Sequence, residues 1–410
     1  MYLKKIALAG AMTALMGSAA YAGCGLTGGN VNILGNEFGA IQAVVDGAKE
    51  CEGEGVSVES NLTVDHRDLQ VAALTANPAQ YTSAIVANSS IVPLLNDGLI
   101  RPLDDLVAKY GQSLEPRQLI TIDGKVMAIA FMANAQHLFY RSDILEAAGV
   151  DVPTSYDEVV AAAAKIESMG LMDNPYAMNT KTGWNLGEEF VNMYLGTGAS
   201  FFKPGTAEVD INNENGVATL NMLASLMEYS DPDFLTFDSN ATQALWEGGK
   251  LALATMWGSR GGGILDDEGS SADVVGSTVL AGAPTLMGDN VASTLWWDGF
   301  TVAANISDED AEATFVALVN GLRDDVIIAN NGEAVWLSSA YQPGPASAGV
   351  AATASSGASP YPMLPYMGLL HTALGAELSD FLQGNESAEQ ALADVEAAYT
   401  AAAKEQGFLN

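Results

Sequence analysis

Aromatic residues stand directly beside amide or carboxylate residues in two short segments of this sequence. One segment is Trp296-Trp297-Asp298-Gly299, and the other is Trp184-Asn185, which follows a glycine. Clefts that bind small molecules are lined mainly by apolar and aromatic side chains, with a few polar groups that fix the orientation of the ligand. Both segments are therefore candidates for the wall of such a cleft. Trp184 could equally be the hydrophobic staple of the helix that it precedes.

The two adjacent tryptophans lie in a segment that has the character of a β-strand. Because successive strand residues point to opposite faces, at most one of the two tryptophans can face a cleft. We predict that Trp297 and Asp298 line the cleft and that Trp296 packs on the other face. Gly299 is predicted to belong to the same site and to allow a close approach of the ligand.

Polar residues that follow predicted strands are further candidates. Asn36, Glu37 and Phe38 come directly after the first strand, and Asn88 comes after the strand at 84–87. Ligands of open α/β sheets bind at the carboxyl ends of strands, which favours a role in binding. The alternative for both groups is a turn whose side chains cap the next helix.

No familiar catalytic motif accompanies these candidates. The sequence has no H-E-x-x-H, G-x-S-x-G or cysteine-nucleophile motif, and we expect no cofactor. The glycine-rich segment at 258–263 lacks the G-K-[ST] ending of a nucleotide-binding loop, although its Arg260 could hold an anionic group of a ligand. The rival function is that of a secreted glycoside hydrolase or lyase with a pair of acidic residues.

The N-terminus has the layout of a secretory signal peptide. Lys4 and Lys5 precede an apolar stretch at 6–16, and Ala20-Tyr21-Ala22 forms a small-x-small cleavage site. We expect residues 1–22 to be removed after Ala22 and the protein to reach the periplasm. The two cysteines, Cys24 and Cys51, are predicted to form a disulfide in that oxidising compartment. A lipid anchor on Cys24 is the competing possibility.

Charge and length limit the classes of protein that this chain can represent. The sequence contains 16 basic and 50 acidic residues, and its net charge is −34. A negative field of this size repels phosphate backbones, so no nucleic-acid partner is expected. A chain of 410 residues is longer than one hydrophobic core usually supports, which predicts two lobes.

Strands and helices alternate along the chain. Predicted strands at 31–34, 56–58 and 84–86 are separated by predicted helices at 40–49 and 68–76. This alternation predicts α/β units with parallel strands covered by helices. Further along, Ser155-Tyr156-Asp157-Glu158 has the pattern of a capping box at the start of an alanine-rich helix.

Several segments, in order, resemble the extracellular sugar-binding proteins related to maltose-binding protein. The resemblance lies in Gly124–Phe131, Leu138–Asp143, Ala148-Gly149 with Pro153–Glu158, Ala244–Ala252 and Trp296–Val302. It implies an α/β fold of the periplasmic binding protein type, with three crossings between two lobes and a ligand cleft between them. It also implies a monomer that binds a monosaccharide or oligosaccharide and delivers it to the membrane permease of an ABC importer. A polyol, a glycerol phosphate or a sugar acid is the alternative cargo.

The resemblance also suggests where the lobes divide and which residues face the ligand. Crossings are expected near 133–135, 282–284 and 331–333, which gives a first lobe of 23–133 and 284–331 and a second lobe of 134–283 and 332–410. The first crossing carries the polar residues Asn134, Gln136 and His137; His137 is expected to form hydrogen bonds rather than to bind a metal. The family's aromatic positions correspond to the region of Trp257 and, late in the chain, to Tyr361 and Tyr366.

Overall fold

A computed structural model describes residues 24–266 and 268–410, so the predicted signal peptide lies outside the described residues. The strands are β1 Gly29–Gly35, β2 Val56–Leu62, β3 Ser83–Ala87, β4 Leu119–Ile122, β5 Lys125–Arg141, β6 Tyr176–Ala177, β7 Leu253–Trp257, β8 Thr278–Leu280, β9 Thr294–Phe300, β10 Val335–Trp336 and β11 Ser359–Pro360. The order of the main strands in the sheet is β2-β1-β3-β9-β5-β7-β6.

Helices cover the strands. They are α1 Gly39–Lys49, α2 His66–Thr75, α3 Ile91–Asn96, α4 Asp104–Tyr110, α5 Ser142–Ala148, α6 Tyr156–Ser168, α7 Trp184–Leu195, α8 Glu214–Met227, α9 Ser239–Glu247, α10 Gly261–Leu265, α11 Ala272–Ser277, α12 Asp308–Asn320, α13 Asp324–Ala329, α14 Ala348–Ser355, α15 Met367–Glu377, α16 Ser379–Leu382 and α17 Ala388–Glu405. None of the helices at 24–266 and 268–410 combines the length and the apolar character needed to cross a membrane.

One long strand, β5, connects two regions of the molecule. The first strands, β1 to β3, pair in parallel, as the alternation of strands and helices predicts. The 17-residue β5 then pairs with β4 near its start, with β9 in its middle, and with β7 and β8 near its end. Because β5 continues from one set of partners to the other, it ties the two regions into one framework.

Each region has its own hydrophobic core. Ile33, Val44 and Phe315 belong to the first core, where α1 and α12 pack beside the parallel strands. Phe190 and Tyr399 belong to the second core, where α7, α8, α15 and α17 pack together. The prediction of a two-lobed α/β fold is confirmed.

Two of the predicted crossings lie at other positions in the structure. Ala292 and Trp296, which follow the predicted crossing at 282–284, still pack in the second core, whereas Phe300 packs in the first. Trp336, which follows the predicted crossing at 331–333, still packs in the first core. Both predictions placed the crossing too early in the sequence. The chain first runs alongside β5, as β9 in one case and as β10 in the other, and it changes lobes only after the predicted position.

A disulfide joins Cys24 to Cys51, as predicted, with 4.9 Å between the two Cα atoms. It ties the start of the described chain to the residues that follow α1. The half-cystine Cys51 is fully buried in the first core.

Reduction of this disulfide is expected to lower the free energy of unfolding by roughly 3–4 kcal/mol, because a bridge over 27 residues restricts the unfolded chain. Urea titrations with and without a reductant would measure the loss, and a Cys24→Ser/Cys51→Ser variant should be insensitive to the reductant. Thiol titration of unfolded, unreduced protein should find no free thiols. Two free thiols, or a lipid on Cys24 in the mass spectrum, would contradict the prediction.

Candidate ligand-binding site

Trp184 occupies the centre of a cluster of aromatic rings between the lobes. Gly183, whose φ of 101° suits glycine, turns the chain into α7, and Trp184 is the first residue of that helix. The indole ring of Trp184 stacks on His371 at 4.8 Å between ring centroids and on Trp257 at 6.4 Å. It also meets Trp296 edge to face at 5.8 Å. The second lobe therefore presents an aromatic wall at this position.

Arg67 reaches this wall from the first lobe. It belongs to the first turn of α2, and its guanidinium carbon lies 3.8 Å from the centroid of the Trp184 ring. Its Nε and Nη1 atoms are shielded from solvent and have no hydrogen-bond partner among the described residues, although Arg67 as a whole is only half-buried. Burial lowers the pKa of Arg67, and the negative charges of Asp298 and Glu188 oppose this effect.

Two cavities meet at the Arg67–Trp184 pair. The larger has a volume of about 310 Å³ and also has Ser89, Tyr361 and His371 in its wall. The smaller, of about 180 Å³, is lined mostly by polar residues, among them Asn36, Asp65, Asn185, Asp238 and Arg260. Both cavities are bounded by residues of both lobes, so together they form the cleft between the lobes.

Two carboxyl groups, those of Glu188 and Asp298, lie close enough to Arg67 to attract its charge. Glu188 accepts hydrogen bonds from the Thr294 hydroxyl at 2.8 Å and from Trp296 Nε1 at 3.2 Å. Burial raises the pKa of Glu188 to about 8 and that of Asp298 to about 7, against the attraction of Arg67. Near neutral pH, each group can therefore be protonated or ionised, and it can donate or accept a hydrogen bond.

The structure reverses the predicted faces of β9. Trp296 is buried against Trp257 and Tyr361, with ring centroids at 5.6 and 4.5 Å, and so belongs to the aromatic wall. Trp297 packs instead against an apolar cluster of the first lobe. The physical reason is the alternation itself: positions 294, 296 and 298 share one face, and Thr294 and Trp296 both bond to Glu188 from it. Trp297 and Asp298 could not both have faced the cleft.

Several predicted site residues do line the cleft. Trp184 borders both cavities, while Asn36, Asn185 and Arg260 border the smaller one. Arg260 donates a hydrogen bond to Gln243 at 3.2 Å, and burial lowers its pKa. Trp257 reaches the site through its stacking on Trp184.

The amides expected in the cleft serve the framework instead. Asn88 donates to the Leu295 carbonyl and accepts from the Trp297 amide, so it fastens the end of β3 to β9. Asn134 similarly pairs with the hydroxyl and backbone amide of Ser259. Gln136 is buried and donates to Glu189 at 3.1 Å. These predictions are corrected, because each amide satisfies backbone or side-chain partners that only the tertiary structure brings close.

His137 and Gly299 are likewise structural. His137 is fully buried, stacks on Phe139 at 4.6 Å, and lies so close to Gly349 that a β-carbon there would be 2.2 Å from its ring. Burial lowers the pKa of His137 to about 4. A β-carbon on Gly299 would lie 2.6 Å from the Ile129 carbonyl, so the predicted close approach is that of β5 and not of a ligand.

Three further candidates, Glu37, Phe38 and Tyr366, lie away from both cavities. Asn36 accepts a hydrogen bond from the backbone amide of Glu37, whose side chain is exposed, and Phe38 packs partly on the first core. Tyr366 donates to the Thr206 carbonyl and lines a separate groove on the second lobe. Tyr361, five residues earlier, is the late aromatic residue that lies in the cleft.

Sequence reasoning missed Arg67, Glu188 and His371. Glu188 carried a usable signal, because it lies one helical turn after Trp184 and therefore on the same face of α7. Arg67 and His371 carried none, since neither stands beside an aromatic residue in the sequence. At 24–266 and 268–410 no group of three or more His, Cys, Asp or Glu residues is placed to hold a metal ion.

Two lobes that face each other across a polar cleft with an aromatic wall define a two-lobed binding protein. The sequence model of the family described as bacterial extracellular solute-binding protein matches residues 34–354. The chain therefore belongs to this extracellular family, and the resemblance found in the sequence is confirmed.

Individual relatives agree with this assignment. A mannitol-binding protein of Pseudomonas aeruginosa is 25% identical over 226 residues, which are 53% of this chain and 51% of that protein. The chain spans about half the length of the curated relatives that it matches.

Solved structures show the same fold. A solute-binding protein of Agrobacterium radiobacter in complex with ribitol superimposes with a TM-score of 0.79 at 18% identity, covering 92% of this chain and 99% of that one. A maltose-bound protein of T. maritima gives a TM-score of 0.78 at 17% identity and covers 90% of this chain and 99% of that one.

Proposed function

We propose that this protein captures a carbohydrate or a sugar alcohol between its lobes and delivers it to the permease of an ABC importer, without converting it chemically. The observation that carries the proposal is the position of Trp184, whose ring borders both cavities of the cleft. The C–H groups of a sugar or polyol in the cleft would pack against the part of this ring that Arg67 and His371 leave uncovered, while its hydroxyl groups would meet the polar groups around the ring.

The hydrogen-bonding capacity around Trp184 supports a ligand with many hydroxyl groups. Two donors of Arg67 and the Oε2 atom of Glu188 are buried and lack hydrogen-bond partners among the described residues. Buried polar groups are normally paired, and leaving one unpaired costs about 1–3 kcal/mol. A hydroxyl group can donate and accept at once, so one ligand can satisfy both kinds of group.

The relatives support the same class of ligand. A similar protein is a mannitol-binding protein, and two proteins of the same fold have structures with ribitol and with maltose bound. Under this proposal the protein is exported to the periplasm, loses residues 1–22 after Ala22, and acts as a monomer. Its net charge of −34 supports the absence of a nucleic-acid partner.

A lobe division follows from the packing of the two cores. We assign residues up to 133, together with 297–341, to the first lobe, and assign 134–296 and 342–410 to the second. Ligand capture would then change the backbone at three passages, one in β5, one in β9 and one after Tyr341, which is how hinged lobes close around a ligand.

A screen by thermal shift over sugars, sugar acids and polyols tests the proposal. A cognate ligand at 100 times its dissociation constant is expected to stabilise the protein by about 2.7 kcal/mol, because it binds only the folded state. Oligosaccharides incubated with the protein should be recovered unchanged. Turnover of an oligosaccharide, or stabilisation by a sugar acid but by no neutral compound, would contradict the proposal.

A further inference from the structure

We propose that Arg67 is a partition that divides the cleft and limits the size of its ligand. In this proposal the protein takes one small, neutral, polyhydroxylated molecule, a monosaccharide or a sugar alcohol, and excludes chains of sugar units. The inference rests on the proposed function and narrows the class of its ligand.

The geometry of the cleft carries the argument. Arg67 and Trp184 are shared walls of both cavities, and the pair is the place where the two cavities meet. The 3.8 Å between the guanidinium carbon and the ring centroid is a van der Waals contact, so no sugar unit fits between them. A chain of sugar units that began in the larger cavity could not continue into the smaller one while this contact persists.

The volumes agree with a single small ligand. Pockets for drug-sized ligands enclose about 300 to 1,000 Å³; the larger cavity, of about 310 Å³, lies at the lower end of this range and the smaller, of about 180 Å³, lies below it. If Arg67 left Trp184, the two cavities would become one longer cleft. Such a cleft would extend along the boundary between the lobes, from Asp238 on one side to Tyr361 on the other.

The interactions that hold Arg67 in this position leave two of its hydrogen-bond donors available to a ligand. Its guanidinium lies over the ring of Trp184, and it is attracted by the charges of Asp298 and Glu188. Its Nε and Nη1 donors nevertheless lack partners within 24–266 and 268–410, so a hydroxyl oxygen in either cavity could bind to the edge of the guanidinium while the face stays on the ring.

The charges around Arg67 favour a neutral ligand. A hydroxyl group can accept a hydrogen bond from Arg67 and donate one to a carboxylate of Asp298 or Glu188. An ionised carboxylate or phosphate ligand would instead be repelled by whichever of Asp298 and Glu188 is ionised. The same groups therefore favour sugars and sugar alcohols over sugar acids.

Calorimetric titration of the wild type, Arg67→Ala and Arg67→Lys tests the partition. D-mannitol, ribitol, D-glucose and D-tagatose serve as one-unit ligands, and maltose and maltotriose serve as chains. We expect the wild type to bind at least one of the one-unit ligands and to bind maltotriose at least about 100-fold more weakly. In Arg67→Ala, the ratio of the two affinities should shift toward maltotriose by at least about tenfold.

Two further variants make the result specific. Arg67→Lys keeps the charge but lacks the planar group that lies on the ring, so it should shift the ratio in the same direction by a smaller factor. Arg323→Ala, which removes a surface arginine that pairs with Glu50 and Asp325, should leave the ratio unchanged. Circular dichroism and melting curves would establish that each variant is folded.

The outcomes separate this inference from the proposed function. Two outcomes overturn the partition but leave the proposed function intact. In the first, the affinity ratio is the same in the wild type and both Arg67 variants. In the second, the wild type binds maltotriose as tightly as its best one-unit ligand. Binding of none of the six compounds by any of the proteins overturns both.

Discussion

Replacement of Trp184 by alanine is expected to weaken binding of the cognate sugar or polyol by at least about 30-fold, equivalent to about 2 kcal/mol. Trp184 is the shared wall of both cavities and contacts Trp257, Trp296 and His371. Its removal takes away the surface that a ligand would cover and also the surface on which Arg67 lies. Titration calorimetry with the best ligand from the screen would measure the change.

Trp297→Ala is the matched control for this experiment. Trp297 is also a partly buried tryptophan, but it packs against the first lobe on the opposite face of β9. Its loss should lower the melting temperature while changing the dissociation constant less than about threefold. If Trp297→Ala abolished binding and Trp184→Ala did not, the placement of the site would be wrong.

Glu188→Gln is expected to remove a pH dependence of stability. Burial raises the pKa of Glu188 to about 8 in the folded protein, from an ordinary value of 4.5. The folded state then holds a proton that the unfolded state has already released. Stability from this group is therefore present at acidic pH and is lost as pH rises toward 8, by about 1.4 kcal/mol per pH unit. Glutamine stays neutral throughout, so the variant should lose about 2–3 kcal/mol less than the wild type between pH 6 and pH 8.

The window from pH 6 to pH 8 separates Glu188 from the histidines. Burial lowers the pKa of His66 to about 3 and those of His137 and His371 to about 4, so their contributions are lost mainly below pH 6.5. Glu158→Gln is a suitable control, because Glu158 is exposed, caps α6 and has a lowered pKa. Urea titrations at pH 6, 7 and 8 should show parallel decreases for Glu158→Gln and the wild type. A decrease for Glu188→Gln as steep as that of the wild type would contradict the prediction.

The contribution of Asp298 to stability also decreases as pH rises, but over a lower range of pH than that of Glu188. Burial raises its pKa to about 7 from 3.8, so its contribution is lost between about pH 4 and pH 7. This range overlaps that of the histidines, whose contribution to the stability of the protein increases as pH rises. For this reason Glu188 gives the cleaner measurement.

Local patterns in the sequence predicted local structure well. The capping box at Ser155 and Glu158 forms as expected, with the Ser155 side chain accepting from the Glu158 amide and the Glu158 side chain accepting from the Ser155 amide. The predicted helix at 40–49 corresponds to α1, Gly39–Lys49. Capping and periodicity depend on residues within a few positions of one another, so the sequence alone contains the information.

The binding site was predicted less well, because tertiary contacts decide which polar residues are free. Asn88 and Asn134 have the residue type and position of ligand-binding residues, yet their partners, at 259, 295 and 297, lie more than a hundred residues away. Arg67 enters the site from the other lobe, and only the tertiary structure brings it to Trp184, 117 residues later in the sequence. Trp184 itself was predicted because a glycine, an aromatic residue and an amide adjoin in the sequence.

The face of β9 shows a different kind of error. Alternation places Trp296 and Trp297 on opposite faces, and it places Trp297 and Asp298 on opposite faces as well, so Trp297 and Asp298 cannot share the cleft. Applied along the strand, the same rule groups Thr294, Trp296 and Asp298. The structure shows this grouping, with Glu188 bound to the first two.

A crystal structure of the protein with the strongest ligand from the thermal-shift screen is the most direct test of the account. We expect the ligand to lie between the lobes, with C–H groups packed against the part of the Trp184 ring that Arg67 leaves uncovered and with hydroxyl groups bonded to Arg67 and to Asp298 or Glu188. A ligand bound to one lobe alone, for example in the groove beside Tyr366, or one that contacts neither Trp184 nor Arg67, would contradict the central claim that this cleft is the site of solute capture.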